Sequence, residues 1–375
     1  MRSTVFTIFS LLMTIPMWSQ QNHSHAFGRE IIFPDVADYL TLKCDFHIHT
    51  VFSDGLVWPT IRVEEAVKDG LDAISLTEHI EYQPWGEDIP NPNRNRSFEI
   101  ASELAKAFDL IVVHGVEITR DLPPGHANAI FITDANKLML EDSIEVYREA
   151  KRQGGFIFWN HPNWISQRSD GKATLTDLHK YLIREGLLDG IEVVNDITYS
   201  DEALQIALDS NITIMGTSDI HNLVDWKFDI AEGGHRPITL VFAKERTAES
   251  IREALIDRRT VVWYENLLVG KESNLRPLID ASIRVVDVSY QGPSSVALVH
   301  LENNSDASLL LQNIGAYTFH TTADVVTLPP HETTVVQVKT GEQLSSFFLH
   351  FEVLNAITAP KRHLHFKLKV DVPQH

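Results

Sequence analysis

Cysteine is almost missing: Cys44 is the only one in 375 residues, so the chain cannot close a disulfide within itself. Basic residues are scarce as well, 32 Lys and Arg against 51 Asp and Glu, and they form no block. The resulting net charge of −19 repels a long nucleic acid, whose binding rests on Lys and Arg neutralising phosphates. A small anion remains acceptable where metals reverse the local sign. There is no internal repeat and no low-complexity tract. One apolar run stands out, Val5 to Trp18, and it is short for a membrane span. With Arg2 before it, Ser19 after it and no lipoprotein cysteine behind it, residues 1–20 read as a signal peptide. This predicts export, to a periplasm, without stable membrane insertion, and places His23 and His25 on the mature N-terminus. Cys44 lies in a strand-like run and reads as a small buried apolar residue.

From 28 to 270 short β-like runs alternate with amphipathic helices. Strands are expected over 42–48, 73–76, 111–113, 129–132, 155–159, 191–194 and 212–215. Helices are expected over 61–69, 97–107, 143–153, 176–185, 201–209 and 248–258. Such alternation predicts parallel strands in a barrel or a doubly wound sheet, with polar residues clustered after the strands, where barrel active sites lie. The character changes near Gly270-Lys271-Glu272-Ser273-Asn274. Beyond it, turn residues separate short alternating segments, which predicts a small β-sandwich over 277–375.

The chemistry concentrates in Asp45-Phe46-His47-Ile48-His49-Thr50, followed by Ser53-Asp54-Gly55. Residues two apart on a strand share a face, so His47 and His49 point one way, and Phe46 and Ile48 point to the opposite, helix-packed side. Two imidazoles at a strand's end make half of a metal site. A lone H-x-H is weak, and the chain carries its own control. His363 and His365 alternate with Leu364 and Phe366 and run into Lys367 and Lys369, as on a solvated strand face. The first pair differs because further ligand types follow in matching contexts: His79 after Ser75-Leu76-Thr77-Glu78, Glu117 in Val116-Glu117-Ile118-Thr119, His126, His161 in Asn160-His161-Pro162, and Asp219 with His221 after Gly216-Thr217-Ser218. So many converging, unpaired groups would repel or desolvate one another without a cation.

The pieces HIHTVFSDG, SLTEH, VEIT, NHP and GTSDIH, in this order, resemble the motifs of the PHP superfamily (polymerase and histidinol phosphatase). At finer grain, PPGHANAIF, FWNHP and GIEVVN are similar to secreted bacterial phosphodiesterases of the Sb-PDE type. The resemblance implies a distorted (β/α)7 barrel over 28–270 holding up to three divalent metals. It places the first metal on His47, His49, Glu117 and Asp219. Glu117 would bridge to a second on His126 and His161, and Asp54, His79 and His221 would hold the third. Asp54 reads equally as part of a Ser-Asp-Gly turn. Glu78 stands where the family often has aspartate. Mixed imidazole and carboxylate donors without thiolate suit Mn²⁺, Fe²⁺ or Zn²⁺. Two metals sharing a hydroxide would attack a small phosphate ester in line, with no protein nucleophile.

Glu117, Asp219 and Arg120 are the residues expected to act in catalysis, Arg120 because a guanidinium suits phosphate oxygens. Arg94 and Arg96 read as solvated loop residues. Tyr82, Trp85 and Trp164, with the long loop 82–96, are candidates for an apolar wall. His114 reads as structural, and His235 as a loop residue within possible reach of the site. The preferred substrate is a small phosphodiester. The alternatives are a phosphomonoesterase, an amidohydrolase-type hydrolase, which would need a bridging lysine not found here, and a metal-dependent binding protein without turnover.

Overall fold

The computed structural model describes residues 28–373; the expected signal peptide, with His23 and His25, lies outside the described residues. The first domain contains β1 (Leu40–Ile48), α1 (Pro59–Lys68), β2 (Ala73–Leu76), α2 (Arg96–Ala105), β3 (Ile111–Ile118), β4 (Ala127–Ile130), α3 (Ser143–Arg152), β5 (Phe156–Trp159), α4 (Asp177–Arg184), β6 (Gly190–Asn195), β7 (Thr198–Tyr199), α5 (Asp201–Asp209) and β8 (Thr213–Thr217). It continues through α6 (Val224–Phe228), β9 (Ile238–Ala243), α7 (Ala248–Ile256), β10 (Thr260–Tyr264) and β11 (Leu267–Gly270). The result is a distorted (β/α)7-type barrel followed by an all-β sandwich.

The strands are not all parallel, as the alternation suggested. β1, β2 and β3 run parallel, but β4 is antiparallel to both β3 and β5. The link from β3 to β4 contains no crossover helix, and without one the chain returns antiparallel. β5, β6 and β8 are again parallel, and β9 lies antiparallel against β1. The seam between β8 and β9 closes through side chains: Thr239 Oγ1 donates to Gly216 O at 2.7 Å and accepts from Gly216 N at 3.0 Å. Gly216 is required there, because a Cβ would stand 2.2 Å from Val262 Cγ1.

Helix α1 begins with Pro59 at a position where a missing N–H costs nothing, and buries Val63 and Ala66. Ile48 packs into that same cluster. Phe46 does not share its face; it joins Ala73, Phe156, Phe158 and Met215 in a separate cluster. The cause is a register shift between Asp45 and Ile48, which breaks the strict alternation just where the histidines leave the strand.

Where the sequence changes character, near 270–274, a helix begins, α8 (Glu272–Ser282), whose buried Leu275, Leu278, Ile279 and Ser282 have helical spacing. The sandwich follows: β12 (Ile283–Tyr290), β13 (Val296–Asn303), β14 (Leu309–Asn313), β15 (Thr318–Phe319), β16 (Val325–Leu328), β17 (Thr333–Lys339), β18 (Ser346–Ala359) and β19 (Arg362–Asp371). One sheet orders β12-β13-β17-β15; the other carries β16-β14-β18 with β19. Ala297, Val299 and Leu301 alternate inward on β13. Strand β18 pairs parallel with β11, Leu268 opposite Ala356, so the barrel's sheet continues into the sandwich. Asn355 secures the join by donating to Asn266 O at 2.6 Å and Ser308 O at 2.7 Å. Among the described residues no helix is long and apolar enough to cross a membrane.

Candidate metal centre

One mouth of the barrel gathers nine ligand-type residues, eight at or beyond the C-terminal ends of strands and His126 just before the antiparallel β4. His47 and His49 are fully buried, with their Nε2 atoms 3.1 Å apart. Asp219 Oδ1 lies 3.1 Å from the first and 3.2 Å from the second. Glu117 is the centre of the arrangement, and its two oxygens face different partners. Oε2 lies 3.5 Å from His47 Nε2, 3.3 Å from His49 Nε2 and 2.9 Å from His79 Nδ1. Oε1 lies 2.8 Å from His126 Nδ1 and 3.6 Å from His161 Nε2. Asp54 closes a third group, with Oδ1 3.1 Å from His221 Nε2 and 3.6 Å from His49 Nδ1, and Oδ2 3.4 Å from His79 Nε2.

Three sets therefore have donor atoms close enough to share a cation: His47, His49 and Asp219; His79, Glu117 and His126; and His49, Asp54, His79 and His221. The structure brings together all nine sequence-predicted ligands, with His49 and His79 each standing between two sets. Asp54 belongs to a set, which goes beyond a simple turn. Its fit to a cation is testable on the atoms themselves. Asp54 Oδ1, Glu117 Oε2 and His126 Nδ1 are buried and make no well-directed hydrogen bond, although a ligand-type atom lies within 3.1 Å of each. Buried polar atoms are normally satisfied, so donors that converge without directional bonds fit a shared metal. His161 and Asp219 also hold positive φ, 28° and 48°, in strained conformations that functional sites tolerate.

The fields are strong. Burial disfavours a charged His47, but Asp219, Glu192 and Glu117 outweigh it and hold the imidazole well above its ordinary range. Burial likewise opposes His79, which Glu117 and Asp54 push up to about 11. Burial would raise Glu117, yet His79 and His47 hold it well below the carboxylate range. Asp219 and Asp54 are lowered against burial in the same way, Asp219 by His47 and Asp54 by the adjacent imidazoles of His221 and His79. Without a cation the charged carboxylates are thus balanced by protons on the imidazoles, and a bound metal would take the place of those protons.

Several residues outside the nine expected ligands fix this geometry. Glu192 is buried on β6, with Oε1 2.7 Å from His47 Nδ1 and accepting from Thr217 Oγ1 at 2.6 Å. Its Oε2 accepts from the His161 backbone N–H at 2.6 Å and from Asn195 Nδ2 at 2.8 Å. A single carboxylate inside the apolar run Gly190–Asn195 was its signal. Asn160 Nδ2 donates to Glu117 Oε1 at 3.0 Å. Arg62 is fully buried on α1 and donates to His49 O at 2.9 Å, His221 O at 2.8 Å and Asn222 O at 2.7 Å, tying two ligand segments together. Glu78, longer than aspartate, reaches Thr50 Oγ1 and Ser53 Oγ, both at 2.5 Å, and holds the turn after His49.

Other expectations are corrected. Arg120 does not line the cavity above the centre; its guanidinium pairs with Glu81 at 3.0 Å and donates to Leu140 O. Nor does the loop 82–96 line it: Trp85 donates to Gly55 O at 3.2 Å, and Tyr82 sits edge-on to His79 with centroids 5.8 Å apart. Trp164 does line it. His114 stacks on Phe98 at 4.2 Å, and His235 stacks on Trp263 at 3.6 Å, away from the centre. The cavity has a volume of about 870 Å³ and is bounded by the turn after His161, the β6–β7 hairpin and the segment from Asp219 to Lys227.

Fold and centre together define a metal-dependent hydrolase of the barrel type. A solved two-domain protein from Bacteroides vulgatus, described as containing a predicted PHP-like metal-dependent phosphoesterase, is 43% identical, with 92% of this chain and 99% of that chain covered and a TM-score of 0.86. The chain belongs to this family of two-domain PHP-like phosphoesterases. Residues 283–369 match a family model described as an Ig-like domain. A curated relative, an uncharacterized protein of Methanocaldococcus jannaschii, is 38% identical over 85 residues, which is 22% of this chain; the match spans 36% of that relative's length.

Proposed function

We propose that this protein hydrolyses small phosphodiesters with up to three divalent cations at the barrel mouth. The observation that carries the reading is Glu117, whose two oxygens face two separate imidazole sets from a fully buried position. In this reading Glu117 joins a site on His47, His49 and Asp219 to a site on His126 and His161, and Asp54, His79 and His221 complete a third. Metals so held would polarise the phosphoryl group and lower the pKa of an attacking water. The donors suit Mn²⁺, Fe²⁺ or Zn²⁺, and the single thiol, Cys44, is buried elsewhere in β1.

The chain's own work is positioning. Glu192 orients His47, Arg62 and Glu78 lock the segments that follow the strands, and Asn160 holds Glu117. Diesters are favoured over long nucleic acids by the net charge of −19. Lys227 is the one Lys or Arg among the residues lining the cavity, and Asp196 neutralises it at 2.8 Å. A singly charged diester needs no further cation than the metals supply.

The test is turnover of bis(p-nitrophenyl) phosphate, p-nitrophenyl phosphate and single-stranded DNA at fixed Mn²⁺, before and after chelation. Diester turnover that chelation abolishes and Mn²⁺ restores is the expected result. Higher kcat/KM for the monoester reassigns the protein as a phosphatase, efficient DNA degradation as a nuclease, and full activity without metal ends the reading.

A further inference from the structure

Beside the metal centre the cavity carries an apolar wall that the phosphoryl chemistry does not use. Trp164 leaves the strand end on the turn after His161, its N–H donating to His161 O at 2.9 Å. Its ring packs against His161 and His126, with centroids 5.1 and 5.6 Å away. Ile165 continues the wall, and Ile197 enters from the tip of the β6–β7 hairpin. These three are 43%, 73% and 61% exposed, although each is large and apolar. Both supporting segments are tethered. Gln167 donates to Arg120 O at 3.0 Å, and Asp196, at positive φ, is held by Lys227.

The charge around this wall is one-sided. The lining carboxylates outside the ligand set reduce to Asp196, already paired with Lys227, and no free Lys or Arg is among the lining residues. An additional anionic group on the substrate would meet neither a cation nor a metal there.

We propose that Trp164, Ile165 and Ile197 form a subsite for an apolar ester substituent of ring size, and that the substrate carries no second anionic group on that side. This rests on the phosphoester reading above and specifies the class of ester. Trp164 supplies a flat apolar face next to the imidazoles of the second site, so the substituent stacks there while the phosphoryl group occupies the centre. Covering one phenyl ring's worth of apolar surface corresponds to about a tenfold gain in affinity.

The experiment is calorimetric titration of the Mn²⁺-loaded full-length protein with non-hydrolysable phosphonates. Phenylphosphonate should bind about tenfold tighter than methylphosphonate. Propylphosphonate should bind tighter than 2-carboxyethylphosphonate, which has similar size and one more negative charge. The phenyl-to-methyl ratio should fall toward one in Trp164→Ala, and also in Ile165→Ser/Ile197→Ser, whose side chains lie at exposed positions and are not among the expected ligands. Equal affinities for phenyl- and methylphosphonate in the wild type, a preference for the carboxylate compound, or a ratio untouched in both variants would overturn the subsite. If no phosphonate binds and no phosphate ester is turned over, the phosphoester reading itself has failed and the subsite falls with it.

Discussion

Glu192 and His47 form a buried pair, Oε1 to Nδ1 at 2.7 Å, in which neither side chain is exposed to solvent. The pair fixes the imidazole so that its Nε2 faces Glu117 and Asp219. The second oxygen of the same carboxylate holds the backbone of His161, so one side chain positions two candidate ligands. Carboxylates that orient metal-bound histidines are worth roughly 10–100-fold in metal affinity. Glu192→Gln is therefore expected to retain a native far-UV circular dichroism spectrum while metal affinity, measured by competition with a chromogenic chelator, drops by about that factor. Unchanged affinity would remove Glu192 from the role of orienting residue.

Glu117→Gln acts more severely. The amide keeps the shape but lacks the charge that faces both imidazole sets. Turnover of a diester is expected to fall by several orders of magnitude, on the scale of losing a central catalytic group, with thermal unfolding still cooperative. Turnover near wild type would contradict a bridging role.

His114 provides a pH test away from the centre. Burial disfavours its charged form and lowers its pKa to about 4, below its ordinary value of 6.5. The unfolded chain thus binds the proton more readily than the folded one. The associated stability is complete above the unfolded pKa and is lost as pH falls from 6.5 toward 4. Replacing it by phenylalanine, which preserves the stack on Phe98, is expected to flatten the pH dependence of the unfolding free energy, measured by urea titration, in that window by up to about 1.4 kcal/mol per pH unit. Parallel curves for wild type and variant would show that His114 does not carry this linkage.

Arg236 is fully buried and spans two carboxylates, Nε to Asp69 Oδ2 at 2.8 Å and Nη1 to Asp45 Oδ2 at 3.2 Å. Asp45 in turn accepts from Ser218 Oγ at 2.5 Å, which links the residues preceding His47 and Asp219. Arg236→Met leaves buried Asp45 without its cation, while Asp69 keeps Arg29 at 2.5 Å, and is expected to cost about 3–5 kcal/mol by chemical denaturation. A loss below 1 kcal/mol would mean that this network contributes little.

Much of the centre was legible because its information is local. His47 with His49, and Asp219 with His221, are two apart at strand ends, and His79, Glu117, His126 and His161 follow or precede apolar runs that could only be strands. The β13 alternation announced the sandwich in the same way. The chain alone thus determined the candidate ligand types, their order and the two-domain plan. Contacts between distant segments decided the rest. The bond from Glu192 to His47 spans 145 residues, and that from Arg62 to His221 spans 159. No periodicity reports such distances; they exist only once the barrel closes. Packing of the barrel also turned Arg120 toward Glu81 and completed the cavity wall beside Trp164 with Ile197 in place of the loop 82–96. A sequence pattern fixes which face of its own element a residue occupies, whereas what that face meets depends on how the whole chain packs.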